Sequence, residues 1–172
     1  LKQYPAKNIK NICLAGHAGS GKTSLAEAML YLAGASDRLG KVADGNTVLD
    51  FDPEEIKRKA TVSTAVAPLE WKGYKINLID TPGLFDFAGG VGEGIRAAEC
   101  AVITVSGKGG VTVGAEKAFK AASKRDIAKM FFVSMLDTEN ADFFKTFESL
   151  KAQFGPMICP IVVPYMEDEK VV

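Results

Sequence analysis

The sequence predicts an α/β fold, a mostly parallel sheet with one antiparallel edge strand and helices on both faces. Three observations predict it. Helical segments alternate with near-continuously apolar strands, the pattern of strands buried on both sides. One pair of strand-like runs is joined by only Lys72 and Gly73, which reads as a tight hairpin and supplies the antiparallel edge. Polar or glycine-rich turns close three strand ends, at 16–23, 80–83 and 134–137. In such sheets ligands bind beyond the carboxyl ends of the strands, so the three turns form one site.

Each element has its own warrant. "NICLAG" (11–16) is a short apolar strand ending in glycine, and "KTSLAEAMLYLAG" (22–34) reads as a helix burying Leu25, Met29 and Leu32, with Gly34 as its stop. Residues 36–60 show little periodicity, as expected of a functional or mobile loop. Within it, Asp52-Pro53-Glu54-Glu55 starts one short capped helix. "TVSTAVAPLEW" (61–71) and "YKINLID" (74–80) are the hairpin strands, with Trp71 and Tyr74 packing across the turn. "AECAVITVSG" (98–107) and "AKMFFVSMLD" (128–137) are strands. "GAEKAFKAASKRD" (114–126) and "ADFFKTFESLKAQFG" (141–155) are helices, the second ending at a glycine. "ICPIVVPY" (158–165) reads as a last strand interrupted by prolines.

The totals fit one soluble domain. The chain has 172 residues, with 47% hydrophobic and 24% charged. Lys plus Arg and Asp plus Glu stand at 21 each, so no large basic face for nucleic acid is expected. No apolar run approaches the roughly 18 residues of a membrane span, and no membrane partner is expected. Cys13, Cys100 and Cys159, odd in number and at spacings unlike a metal site, read as reduced core thiols of a cytoplasmic protein.

"GHAGSGKT" (16–23) fits G-x-x-x-x-G-K-[ST] between a strand and a helix, the context of a phosphate-binding loop. Its glycines let successive N–H groups face phosphate oxygens, and the helix start adds its positive end. Residues Gly16, His17, Ala18, Gly19, Ser20, Gly21, Lys22, Thr23 and Ser24 are therefore the expected phosphate contacts. Lys22 would reach the β- and γ-phosphates and the Thr23 hydroxyl would bind Mg²⁺. His17, the single histidine, is expected to serve through its backbone N–H rather than as a base. Asp80 ends an apolar strand as an acid that would hold Mg²⁺, and Gly83 could offer its N–H to a γ-phosphate. Asp137 can accept two hydrogen bonds from a base's ring N–H and exocyclic amine, which guanine has and adenine lacks. It can equally cap a helix beginning near Asn140, and on residue chemistry the cap is slightly favoured. Lys57, Arg58 and Lys59 read as a solvated face.

These motifs resemble a translational GTPase. The linking text, "DGNTVLDFDPEEIKRK", "WKGYKINLIDTPG" and "ENADF", is similar to the GTP-binding domain of elongation factor G and its elongation factor G-like paralogues, from about residue 8 to residue 165. The resemblance implies a P-loop GTPase α/β domain over 1–172, belonging to a longer multidomain translation factor, with 156–172 the start of a further element. It implies GTP or GDP with Mg²⁺ as bound species, the ribosome as partner through other domains, and a cytoplasmic monomer. Thr61 resembles the switch threonine that closes on Mg²⁺ and γ-phosphate. Residues 36–63 and 80–96 would then be the two switches. The metal set would be Thr23, Thr61 and Asp80, and the catalytic set Lys22, Thr61, Gly83 and position 84.

Three departures from the family pattern bear on function. Ser134-Met135-Leu136-Asp137 stands where Asn-Lys-x-Asp is usual; Ser134, Met135 and Asp137 remain the expected base contacts, Asp137 keeping guanine preference while the loss of the Asn and Lys lowers affinity. Gly19 replaces an acidic residue, which puts monovalent-cation dependence in doubt. Leu84 replaces the histidine that orients the attacking water. Leucine can neither accept a proton nor hold a water, so the expected activity is slow GTP hydrolysis or one that a partner completes. The competing reading is a nucleotide-binding module that no longer hydrolyses GTP. A P-loop ATPase or kinase is a third, against which Asp137 and the Asp-Thr-Pro-Gly turn argue.

Overall fold

The structure is a computed structural model that describes residues 2–167 and 170–171. Its centre is β1 (Ile9–Gly16), which pairs in parallel with β3 (Tyr74–Asp80) on one side and β4 (Cys100–Ser106) on the other. Flanked on both edges, Cys13, Leu14 and Ala15 are fully buried, and their alternation divides the core. Cys13 and Ala15 join one apolar cluster and Leu14 the other. β2 (Ala65–Trp71) and β5 (Ala128–Ser134) complete a five-stranded sheet of order β2-β3-β1-β4-β5. Only β2 is antiparallel, and as an edge strand it tolerates Pro68 opposite Asn77. The β2–β3 hairpin turns through Lys72 and Gly73, both at positive φ (47° and 85°), as a two-residue turn matched to strand twist requires. Trp71 faces Tyr74 across it, as the sequence predicts.

The expected α/β architecture is therefore present, with helices on both faces. On one face, α3 (Ala88–Ala97), α4 (Val113–Lys124) and α5 (Phe143–Phe154) supply Ile95, Ala115, Ala118 and Leu150 to the cluster around Cys13. Phe119, Phe131 and Phe154 add an aromatic group with ring centroids 4.5 to 5.8 Å apart. On the other face, α1 (Lys22–Leu32) packs Ala26 and Leu30 on Leu14 and Leu78. Met130 and Phe132 of β5 stay 46% and 40% exposed there, so that face is covered only in part.

The structure corrects three expectations. The buried stripe of α1 is Thr23, Ala26, Glu27 and Leu30, while Leu32 is 74% exposed. Residues 158–165 form no strand: Ile161 and Val162 are 80% and 81% exposed, and Pro160 and Pro164 remove ladder donors. A two-residue pair, β6 (Met166–Glu167) with β7 (Lys170–Val171), follows instead, and the parts of the 156–172 element at 168–169 and 172 lie outside the described residues. Among the cysteines only Cys13 is a core thiol, its pKa pushed by burial up to about 12, while Cys159 is exposed.

Ala88–Ala97, which contains Gly89, Gly90, Gly92 and Gly94, is assigned no helix from the sequence; the structure makes it α3. Each glycine costs a helix interior about 1 kcal/mol against alanine. Packing decides here: a Cβ on Gly94 would stand 2.5 Å from Thr81 Cγ2 and 3.0 Å from Cys13 Sγ, so only glycine lets α3 lie against β1. Gly94→Ala is expected to destabilise the chain by about 1–3 kcal/mol, read as a lower urea midpoint at unchanged m-value.

Candidate functional site

The loop 16–21 leaves β1 and enters α1 through three glycines at positive φ, Gly16 (144°), Gly19 (73°) and Gly21 (85°). Gly16 is required for space: a Cβ there would lie 2.6 Å from the Thr104 carbonyl. Side chains then fix the loop from beneath. The Ser20 hydroxyl donates to the His17 carbonyl at 2.8 Å and lies 2.6 Å from the Thr104 hydroxyl. Lys22, only 5% exposed, folds back and donates to the same carbonyl at 2.9 Å. Burial lowers its pKa, against the pull of Asp80 and Asp50.

Asp80, at the carboxyl end of β3, is fully buried. Its Oδ2 accepts the Thr23 hydroxyl at 2.7 Å, while its Oδ1 has no partner. Thr23 Oγ1 lies 3.0 Å from Thr61 Oγ1, and Thr61 donates to Asp50 Oδ1 at 2.8 Å. Asp50, 4% exposed, also keeps one oxygen, Oδ2, without a partner. Its membership in this chain of groups is not expected from the sequence. The available signal is its setting, one acid among Val48, Leu49 and Phe51 in an otherwise polar loop. Two buried carboxylates, each with an unpaired oxygen, and two hydroxyls form a hard-oxygen set that fits Mg²⁺. Among the described residues no three His, Cys, Asp or Glu form a full cage, which suits an ion that keeps waters and takes phosphate oxygens.

Burial pushes the Asp80 carboxyl up from 3.8 to about 7, against the Thr23 hydrogen bond and Lys22, which favour its charged form. The folded chain then binds more protons than the unfolded one between pH 3.8 and about 7, so stability is present at acid pH and is lost as pH rises through 7. Asp50 is shifted in the same direction by burial. The lowered pKa of Lys22 acts with opposite sign. Without metal or nucleotide, the urea midpoint should be higher at pH 5 than at pH 8, and Mg²⁺ with GDP should restore it at pH 8.

The turn after Asp80 sits on the phosphate loop. Thr81 anchors it by donating to the Leu14 carbonyl at 2.7 Å. A Cβ on Gly83 would be 2.5 Å from both the Ala18 nitrogen and Lys22 Nζ, so glycine is required for this approach. Leu84, 36% exposed, lines a cavity of about 190 Å³ together with Gly19, Lys22, Ser24, Thr61 and Met135. It also lines a second, more apolar cavity of about 190 Å³ beneath Phe85. The His17 ring is packed 5.7 Å from that of Phe85.

The turn 134–137 reaches the phosphate loop from the other side. Ser134 Oγ donates to the Ser20 carbonyl at 2.8 Å, and Met135, at φ 56°, has its Cε 3.9 Å from where a Gly21 Cβ would be. Asp137, two residues beyond Met135, is exposed and does not line the cavity. It caps no helix either: the N-cap of α5 is Asp142, which accepts from the Lys145 N–H at 2.9 Å. Thus the structure brings Lys22, Thr23, Asp80, Thr61, Gly83, Leu84, Ser134 and Met135 together around the loop, and leaves Asp137 beside them. Within the loop 36–63, α2 (Pro53–Arg58) has the predicted capping, with a reciprocal Asp52–Glu55 box. Glu55 in addition accepts from the Val62 and Ser63 N–H groups at 2.9 and 3.0 Å.

The sequence profile of the family described as "Elongation factor Tu GTP binding domain" matches residues 7–170. Among curated proteins, elongation factor G 1 of Syntrophomonas wolfei is 36% identical over 163 residues, 95% of this chain and 24% of that protein. The mitochondrial ribosome-releasing factor 2 of Anopheles gambiae is 37% identical over 166 residues, 96% of this chain and 22% of that protein. A crystal structure of a Thermus thermophilus protein superposes with a TM-score of 0.91 at 41% identity, covering 95% of this chain and 24% of that one. The chain thus spans about a quarter of the length of the relatives it matches.

Proposed function

Because this chain belongs to the family of the elongation factor Tu GTP-binding domain, we propose that it binds GTP and GDP with Mg²⁺ and hydrolyses GTP slowly, with residues 36–63 and 80–96 moving between the two states. The observation that carries this reading is the chain of contacts Asp80–Thr23–Thr61–Asp50 at the mouth of the phosphate loop. It places the two switch segments and the start of α1 in hydrogen-bond contact at one point. When bound, Mg²⁺ neutralises charge on the β- and γ-phosphates. The protein's own part is positional. Lys22 would exchange the His17 carbonyl for phosphate oxygens, and Thr23, Thr61, Asp80 and Asp50 are the residues that would hold the ion. Gly83 offers its N–H where the third phosphate ends. Asp137, exposed and free of any cap, is available to a guanine edge, and Ser134 and Met135 hold the turn that carries it against the phosphate loop.

A second reading keeps binding and omits hydrolysis, and Leu84 favours it: the cavity wall at that point is apolar and offers no group to a water. We further read the chain as the GTP-binding part of a longer cytoplasmic translation factor that meets the ribosome mostly through other parts, itself monomeric. Its share of its relatives' length supports the longer protein only. Among the described residues no helix is long and apolar enough to cross a membrane.

Calorimetric titration with GDP and with ADP, each with Mg²⁺, tests the reading. Preference for GDP of at least about tenfold is expected, the discrimination of one bidentate contact. Equal or tighter ADP binding would remove the guanine assignment of Asp137.

A further inference from the structure

The sequence reads Lys57, Arg58 and Lys59 together as a solvated face, and the structure separates them. Arg58 pairs with Glu54, one turn back on α2. Lys57 is exposed and does not line the phosphate-side cavity. Lys59 does line it, on the same wall of about 190 Å³ as Lys22, Gly83, Leu84 and, two residues on, Thr61. Lys59 has no ion pair among the described residues. Its backbone is also unusual for a lysine. It ends α2 at φ 54° and ψ 41°, in the left-handed region, with its N–H on the Glu55 and Ile56 carbonyls. Helices that end this way favour glycine, because a Cβ crowds the backbone there. The segment after it is tied down as well: Thr61 donates to Asp50, and Glu55 accepts from the Val62 and Ser63 N–H groups. A cationic side chain thus projects from a backbone fixed at the cavity wall. Among the described residues that wall carries one other cation, Lys22, which is bonded to the phosphate loop, and one acid, Asp50. Leu84 gives it only hydrocarbon.

We propose that Lys59 is a second phosphate-contacting cation, one that meets the terminal phosphate of a bound nucleoside triphosphate and has no partner in the diphosphate. The proposal rests on the GTPase reading for where the triphosphate ends. An ammonium on a flexible four-carbon stem suits that task, since it donates to phosphate oxygens as a point charge and needs no fixed fork geometry. Lys59 then adds a preference for the triphosphate to the one that Thr61 and the metal supply.

Calorimetry on the 172-residue chain with Mg²⁺ and either GDP or a non-hydrolysable GTP analogue tests it, the ratio of the two affinities being the quantity read. In Lys59→Gln the analogue is expected to bind about tenfold more weakly, the loss of one charge-assisted hydrogen bond, with GDP held within about twofold. Lys59→Arg keeps the charge and should hold the ratio within about threefold. Lys57→Gln removes the same charge from the same run, away from the cavity, and should leave the ratio unchanged. Lys59→Gly should lose the ratio as Lys59→Gln does, yet melt no lower than the parent chain, because glycine takes the left-handed helix end without strain. A fall in both affinities together with a lower melting temperature would mark a structural role and overturn the proposal. An equal loss of the ratio in Lys57→Gln would overturn it too, as an effect of net charge. If the parent chain binds both nucleotides and Lys59→Gln keeps its ratio, the proposal fails and the GTPase reading stands. A parent chain that binds neither removes both.

Discussion

Lys22→Ala is expected to lower the affinity for GTP and GDP by about 10³-fold, the loss of roughly two charge-assisted hydrogen bonds at about 2 kcal/mol each. The side chain is already in the loop, 5% exposed and bonded to the His17 carbonyl, and needs only to exchange that carbonyl for phosphate oxygens. The fold should survive the change. Burial disfavours the ammonium, and the Asp80 carboxyl, raised to about 7, can take a proton instead of standing as an unpaired charge. Lys22→Met, which keeps the stem, should therefore melt within about 4 °C of the parent chain, the shift expected of less than 1 kcal/mol. Calorimetry and thermal melting on the same samples check both halves. Binding within tenfold of the parent chain would show that this loop does not hold the phosphates.

Leu84→His should raise single-turnover GTP hydrolysis by about 100-fold, the lower end of what a positioned acid–base group contributes, and leave GDP affinity unchanged. Residue 84 stands at the wall shared by the phosphate-side cavity and the apolar cavity under Phe85, so an imidazole there can turn toward a water beside Gly83. Leucine at this position instead presents hydrocarbon to both. Phosphate release, followed with and without ribosomes, measures the effect. A rate that does not change in either condition would mean that position 84 is not what limits turnover, and the binding-module reading would gain if the parent chain also released none.

The legible motifs are those written in consecutive residues. The glycines of 16–21 carry the positive φ angles of a phosphate cradle, and Lys72-Gly73 carries those of a two-residue hairpin. The Asp52–Glu55 box lies within one helical turn. The alternation that predicts a parallel sheet is local in the same sense, and the translational GTPase resemblance rests on such stretches. Asp80 is readable because it ends an apolar strand, but its company is not. Asp50 joins it through Thr61 and Thr23, by contacts that span 11 to 57 positions of chain.

By itself, the sequence determined the sheet, its antiparallel edge, the phosphate loop and the family, because each depends on dihedral preferences or side-chain patterns within a few residues. Tertiary structure alone decided the rest. It made a helix of Ala88–Ala97 by letting Gly94 touch Cys13 and Thr81, where intrinsic propensity argues against one. It left 158–165 irregular and exposed despite their apolar composition. It released Asp137 from the capping role by giving that role to Asp142, and it turned Glu27 inward to hold residues 48 and 49. In each case the deciding energy is burial or hydrogen bonding between groups distant in sequence, and a polar side chain's partner across the fold leaves no mark beside it in the chain.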